Sequence, residues 1–221
     1  MSTATGTRVL VVAKAPVAGR VKTRLGAEVG HDAAAQLAAA ALLDTVVACQ
    51  GAVGADRCLL ALAGDLADAV RGDEIADAVT GWGVARQRGA TFAERLVNAH
   101  VDVPPGGPVL QVGMDTPHLT ADLLRAAAED LDDHDAVLGP AEDGGWWVLG
   151  LHEPRGAAAL HDVPMSTPDT YRDTRRALAA AGLEVGATAV LRDVDTVADA
   201  EAVAAAVPDG EFARVWREVR R

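Results

Sequence analysis

Two spacings of apolar residues alternate along this chain. Short unbroken apolar runs suit strands buried on both faces, whereas apolar residues recurring every three or four positions suit helices that bury one face. Residues 8–12 (RVLVV) read as a buried first strand and 32–49 as an Ala-rich helix. A second strand is expected at 58–63, a short helix at 65–71 and a weaker strand at 83–87. Residues 91–101 read as helical, with Phe92, Leu96 and His100 on one face. A strand at 109–113 precedes a helix at 120–131, where Thr120 is available as N-cap and Asp122 suits the first turn. Strands at 136–138 and 146–151, a helix at 168–181 ended by Gly182, a late strand at 188–191, and helices at 197–207 and 211–220 complete the pattern. Such alternation predicts an α/β fold, a mostly parallel sheet with helices on both faces, and ligands bound beyond the carboxyl ends of the strands. No repeat or low-complexity linker interrupts it, so residues 1–221 read as one domain, with 1–7 flexible.

Composition narrows the function classes. The formal net charge is −12 and aromatic residues make up 3% of the chain. An acidic chain without a basic face disfavours duplex binding, and scarce aromatics disfavour stacking of single strands, so nucleic acid is not an expected partner. Cys49 and Cys58 have neither metal-ligand nor disulfide-framework spacing and read as buried thiols in a reducing compartment. The first seven residues lack the features of a signal peptide. Residues 33–48, broken by Gln36 and Asp44, read as too short and too polar to span a bilayer. The expected location is the cytoplasm, without a membrane partner. The histidines show no metal spacing and Ser166 lies outside any nucleophile elbow, which makes zinc sites and hydrolase triads poor readings.

Against the overall acidity, residues 13–26 (AKAPVAGRVKTRLG) concentrate Lys14, Arg20, Lys22 and Arg24 directly after the first strand. Gly19 lets the backbone turn tightly and present amide hydrogens, while the cations supply charge; a phosphate chain needs both. A solvated loop balancing nearby acids reads equally well from spacing alone. In VLQVGMDTPHL, Asp115 follows a strand, where a carboxylate could hold Mg²⁺ or where an Asp before Pro117 could simply make a turn. In LRDVDTVAD, Asp193 and Asp195 occupy alternate positions, so an extended backbone would aim both the same way, while Asp195 or Thr196 could instead cap the next helix. Asp143-Gly144 in LGPAEDGGWWVLGL is a hairpin signal, yet Gly144 and Gly145 also allow close ligand approach, and Asp143 could orient or deprotonate a hydroxyl. Trp146 and Trp147 alternate, so one is expected to line a pocket while the other packs inward.

The segments KAPVAGRVKTRLG, QRGATFAERL, VGMDTPHLT, LGPAEDGGWWVLGL, VPMSTPDTY and LRDVDTVAD, in this order and spacing, resemble a bacterial branch of the GT-A-like nucleotide-dependent transferases. Its members are described as glycosyltransferases, some linked to arsenosugar biosynthesis. The branch is similar to the 2-phospholactate and phosphoenolpyruvate guanylyltransferases and the molybdenum-cofactor nucleotidyltransferases. The resemblance implies a GT-A, nucleotide-diphospho-sugar-transferase-like three-layer sandwich around a mixed, mostly parallel sheet. It implies that Lys14, Gly19, Arg20, Lys22 and Arg24 bind phosphates, that Gln87 and Gly89 read the base, and that Asp115 and Asp195, with Asp193, hold Mg²⁺ or Mn²⁺. Asp115 and Asp143 would then be catalytic, and Gly144, Gly145, Trp146, Ser166 and Thr167 would face the acceptor. Met114, Thr116 and Met165 depart from the Ser, Cys and Trp usual there, and Thr91 and Ala93 from a usual Asp and Gly.

Three functions fit these features. A metal-dependent glycosyltransferase would move a sugar from a nucleotide-sugar to a small acceptor. A guanylyl- or cytidylyltransferase-like enzyme would join a nucleoside triphosphate to a phosphorylated small molecule and release pyrophosphate, which four loop cations would favour. A non-catalytic nucleotide-binding regulator would leave both carboxylate sites idle. The helix ending at Arg221 offers a surface for a homodimer.

Overall fold

The computed structural model describes residues 6–221. Its seven strands are β1 (Arg8–Lys14), β2 (Cys58–Ala63), β3 (Gly83–Arg86), β4 (Val109–Val112), β5 (Ala136–Pro140), β6 (Trp146–Leu151) and β7 (Val185–Ala187). They form one sheet in the order β3-β2-β1-β4-β6-β5-β7. β6 runs antiparallel to both its neighbours and the remaining pairs are parallel. The reason is local. β5 and β6 are joined by a five-residue turn around Asp143-Gly144, short enough only for a hairpin, while every other connection between these strands carries an α-helix and, from β1 to β5, returns the chain parallel.

The eight α-helices are α1 (Thr23–Val29), α2 (His31–Val53), α3 (Gly72–Ala78), α4 (Phe92–Val101), α5 (Ala121–Asp130), α6 (Thr170–Ala180), α7 (Val197–Ala206) and α8 (Glu211–Val219). Alternate residues of the central strands serve opposite faces of the sheet. Val9, Val11, Leu60 and Val112 pack with Ala38, Leu42 and Val46 of α2 and Leu124 of α5. Leu10, Leu59 and Leu138 pack with Leu96 of α4 and Leu178 of α6. A third cluster joins Leu25 of α1, Leu37 of α2, Val203 of α7, and Phe212 and Trp216 of α8. α2 serves two of these clusters, which is why it is apolar nearly all round. Its Ala residues keep the helix surface low, so sheet and helices approach closely.

Several expectations need correction. Residues 65–71 contain only a 3-10 turn, Leu66–Asp68, and the α-helix starts at Gly72. Residues 188–191 are not a strand. The ladder partner of β5 is Val185–Ala187, and Leu191 makes a single bridge to Ala141. Phe92 is exposed, under the Arg95 guanidinium, and Ala93, Leu96, Ala99 and His100 form the buried face of α4. α2 runs for 23 residues and contains an 18-residue stretch of mean hydropathy 1.4, long and apolar enough to span a bilayer, but most of that stretch is buried inside this fold. Of the segment expected to be flexible, residues 1–5 lie outside the described residues, and Thr7 is buried. Cys49 and Cys58 are free buried thiols, and burial pushes Cys58 up to about 12.

Candidate active site

Three chain segments meet beyond the carboxyl ends of β1 and β4. The loop after β1 ends at Lys22, whose backbone is left-handed (φ 46°) at the N-terminus of α1, with no capping hydrogen bond from its side chain. That side chain turns to the end of β4 instead. Lys22 Nζ lies 2.5 Å from Asp115 Oδ1 and 3.3 Å from Asp195 Oδ1. Arg24 reaches the other oxygen of Asp195 at 3.3 Å. The Lys22 side chain is only 7% exposed, whereas those of Asp115 and Asp195 are 48% and 40% exposed, so the carboxylates face outward over a buried ammonium. Burial works to lower the Lys22 pKa, but the charges and hydrogen bonds of Asp115 and Asp195 outweigh it and the net shift is upward.

The backbone fixes these groups. The Asp115 carbonyl accepts a hydrogen bond from the Val194 amide at 2.9 Å, which lays residues 193–195 along the end of β4. Thr196 caps α7 in a capping box with Asp199, and Asp199 also accepts from the Asp195 amide at 3.3 Å. The capping and site readings of this segment therefore both hold, on neighbouring residues. Upstream, Leu191 donates to the Pro140 carbonyl (3.1 Å) and its own carbonyl accepts from Glu142 (3.0 Å). Arg192 then clamps Glu142, Nη2 to Oε2 at 2.5 Å. This stitching brings the β5–β6 turn beside Asp193. Burial, followed by the charges of Asp143 and Asp195, pushes the Asp193 carboxyl up to about 6. Residues 142 and 192 lie 50 apart, and nothing in either segment signals the pairing.

In the turn itself, Asp143 Oδ1 accepts from the Gly145 amide at 2.7 Å, and Gly144 is left-handed (φ 91°). A Cβ at Gly144 would collide with the Pro168 carbonyl, and the Gly144 carbonyl accepts from the Tyr171 amide at 2.8 Å. Ser166 and Thr167 thus stand next to the glycine turn, Ser166 exposed with φ 60°. Trp147 is buried with its indole on the Ala189 carbonyl, while Trp146 is half-buried and donates to Thr174 of α6.

The remaining loop residues are less committed. Lys14 and Arg20 are exposed, and neither forms an ion pair among the described residues. The Lys14 amide approaches the Met114 sulfur at 3.3 Å, which ties the end of β1 to the residue before Asp115. Gln87 spends its amide NH₂ on the Ala13 and Ala61 carbonyls, both at 2.9 Å. Its oxygen is left over to read a base, while the NH₂ bridges the strand ends. Gly89 (φ 131°) packs against the first turn of α4. The structure brings Lys22, Arg24, Asp115, Asp143, Asp193 and Asp195 together.

Among the described residues no group of three or more His, Cys, Asp or Glu side chains is placed to hold a metal ion. Two half-exposed carboxylates remain, hard oxygen donors that suit Mg²⁺ or Mn²⁺ only when phosphate or water completes the shell.

Residues 33–167 match the model of a family described as "Uncharacterized protein conserved in bacteria (DUF2064)". No curated protein matches the sequence. A protein from Desulfovibrio desulfuricans G20, provisionally described as a nucleotide-diphospho-sugar transferase, is 27% identical, with a TM-score of 0.84 over 100% of this chain and 98% of its own. A nucleotidyl transferase from Methanothermobacter thermautotrophicus is 18% identical, with a TM-score of 0.58 over 94% of this chain and 98% of its own. Rv0371c from Mycobacterium tuberculosis H37Rv, in complex with manganese, is 17% identical, with a TM-score of 0.54 over 90% of this chain and 97% of its own. The fold is that of the nucleotide-diphospho-sugar transferases, a single α/β domain on a seven-stranded mixed sheet.

Proposed function

The chain belongs to the DUF2064 family, and on that footing we propose that it is a metal-dependent transferase taking a glycosyl group from a nucleotide-sugar to a small acceptor. One observation carries the reading: Asp115, from the middle of the chain, and Asp195, from its last part, turn outward over the same Lys22 ammonium beside the loop of Gly19 and Arg20. The likeness to the D. desulfuricans protein over the whole chain supports a nucleotide-sugar donor.

In this reading Lys14, Arg20, Lys22 and Arg24 hold the diphosphate of the donor, and the Gly19 turn (φ 74°) offers backbone amides to it. Asp115 and Asp195 would hold Mg²⁺ or Mn²⁺, which when bound neutralises charge on a departing phosphate. Asp143 keeps one oxygen on the Gly145 amide, so the other is the one available to orient an acceptor hydroxyl or take its proton. Asp193 stands beside it, its carboxyl pushed up to about 6 chiefly by burial. Gly144, Gly145, Trp146, Ser166 and Thr167 form the wall on which the acceptor rests.

A second reading, nucleotidyl transfer, is favoured by one specific feature. Lys14 and Arg20 are left without carboxylate partners among the described residues, and four cations suit a triphosphate better than a diphosphate. A thermal-shift panel of nucleotide-sugars and nucleoside triphosphates, with and without Mg²⁺, tests both. Saturating ligand raises stability by about 2.7 kcal/mol at a hundred times its dissociation constant. Stabilisation by nucleotide-sugars, with nucleoside diphosphate as the product, supports glycosyl transfer. Stabilisation by triphosphates alone, with pyrophosphate released, replaces it with the second reading, and no Mg²⁺-dependent response to either class removes both.

A further inference from the structure

We infer that Lys22 is a resident cation on the metal-binding carboxylates, and that the metal gains them only when a polyphosphate draws the ammonium away. The inference rests on the assignment of Asp115 and Asp195 as the metal ligands. Their inner oxygens both face Nζ, at 2.5 and 3.3 Å, and the second oxygen of Asp195 is on Arg24. Each of these two carboxylates therefore already has a cationic partner. A divalent ion arriving alone would have to share the same oxygens with a buried ammonium at contact distance, and like charges so close disfavour it.

A bound polyphosphate changes the balance. Lys22 follows directly on the loop that carries Gly19 and Arg20, so phosphate oxygens placed there lie within reach of a flexible four-carbon stem. Moving Nζ from carboxylate to phosphate frees Asp115 and Asp195 for the metal without leaving a buried charge unpaired. No covalent bond changes; one ammonium exchanges anionic partners. Binding of metal and of nucleotide is thus mutually favourable, each raising the affinity of the other by the same factor. The free protein binds divalent metal weakly by construction, and metal and nucleotide enter together.

The test is a Mn²⁺ titration of the whole protein by paramagnetic resonance, without nucleotide, on the wild type, Lys22→Met, Lys22→Arg and Lys22→Met/Asp115→Asn. Lys22→Met should bind Mn²⁺ about ten-fold tighter or more than the wild type, within the usual span of coupling between sites. Lys22→Arg, which keeps the charge, should not, and Asp115→Asn should abolish the gain. Lys22→Gln carries the same comparison should Lys22→Met fail to fold. Mn²⁺ affinity in the neutral variants no higher than in the wild type overturns the inference, as does an equal gain in Lys22→Arg. A Mg²⁺-dependent nucleotide response without that gain sinks the exchange and spares the transferase reading. A gain in Mn²⁺ affinity with no nucleotide response leaves Lys22 as a resident cation but overturns its transfer to a polyphosphate, and the transferase reading with it.

Discussion

Asp115 stands one residue beyond the buried Met114, with one oxygen on Lys22 and its side chain half exposed. Replacing it by Asn keeps the shape and the Val194 hydrogen bond, which uses the backbone carbonyl. Asp115→Asn should therefore fold and melt cooperatively but lose activity by about a hundredfold or more, measured as kcat/KM on the donor found in the ligand panel. Near-normal turnover would reduce Asp115 to a turn residue. His100 belongs to the frame rather than the site. It is buried on α4 with Nε2 3.0 Å from Gln111 Oε1, while Nδ1 has no partner among the described residues, and burial lowers its pKa to about 4 from 6.5. The unfolded chain takes up this proton near pH 6.5 and the folded one only near 4. Its contribution is thus complete above about 6.5 and drains away as pH falls to about 4, by roughly 3 kcal/mol at most. Denaturant titrations across that window should show a flatter pH dependence for His100→Gln than for the wild type.

At the scale of elements, α8 begins at Gly210, which has no side chain to cap it, and Asp44 of α2 does the work from across the packing. Its two oxygens accept from the Glu211 and Phe212 amides at 2.9 and 2.8 Å. Asp44→Ala should destabilise the protein by about 1–2 kcal/mol, read as a lower denaturation midpoint with Trp216 on α8 as the fluorescent reporter. Elements of this kind show where the chain pattern is legible and where it is not. β1, β2, β6 and α5 follow from apolar runs and from Thr120 as cap, because their signals are local. Val185-Gly186-Ala187 carries little strand character and is a strand because β5 lies beside it, whereas the β-prone residues 188–191 have only one bridge available. Pairing overrides propensity there.

For the molecule as a whole, the third core cluster ties α1 and α2 at the start of the chain to α7 and α8 at its end. Unfolding should accordingly be a single event, with far-UV circular dichroism and tryptophan emission changing at the same temperature; separate transitions would mean that α7 and α8 come away alone. The candidate site follows the same logic. Its residue types are readable in the sequence, since those after β1, β4 and β5 follow a strand and Asp193 and Asp195 sit in an Asp-x-Asp spacing, but their partners are not. Lys22 reads as a phosphate ligand and also stands between two carboxylates, and Arg192 and Glu142 read in the sequence as two ordinary surface charges. Lys22 and Asp195 lie 173 positions apart. On the ribosome, then, the lysine emerges long before the aspartate that it will hold, and β1 must wait for β4 on one side. Long-range parallel pairing of this sort is intrinsically slow. Translation products that stop short of residue 195 cannot assemble this cluster, so on the transferase reading activity should require chains that extend past residue 195.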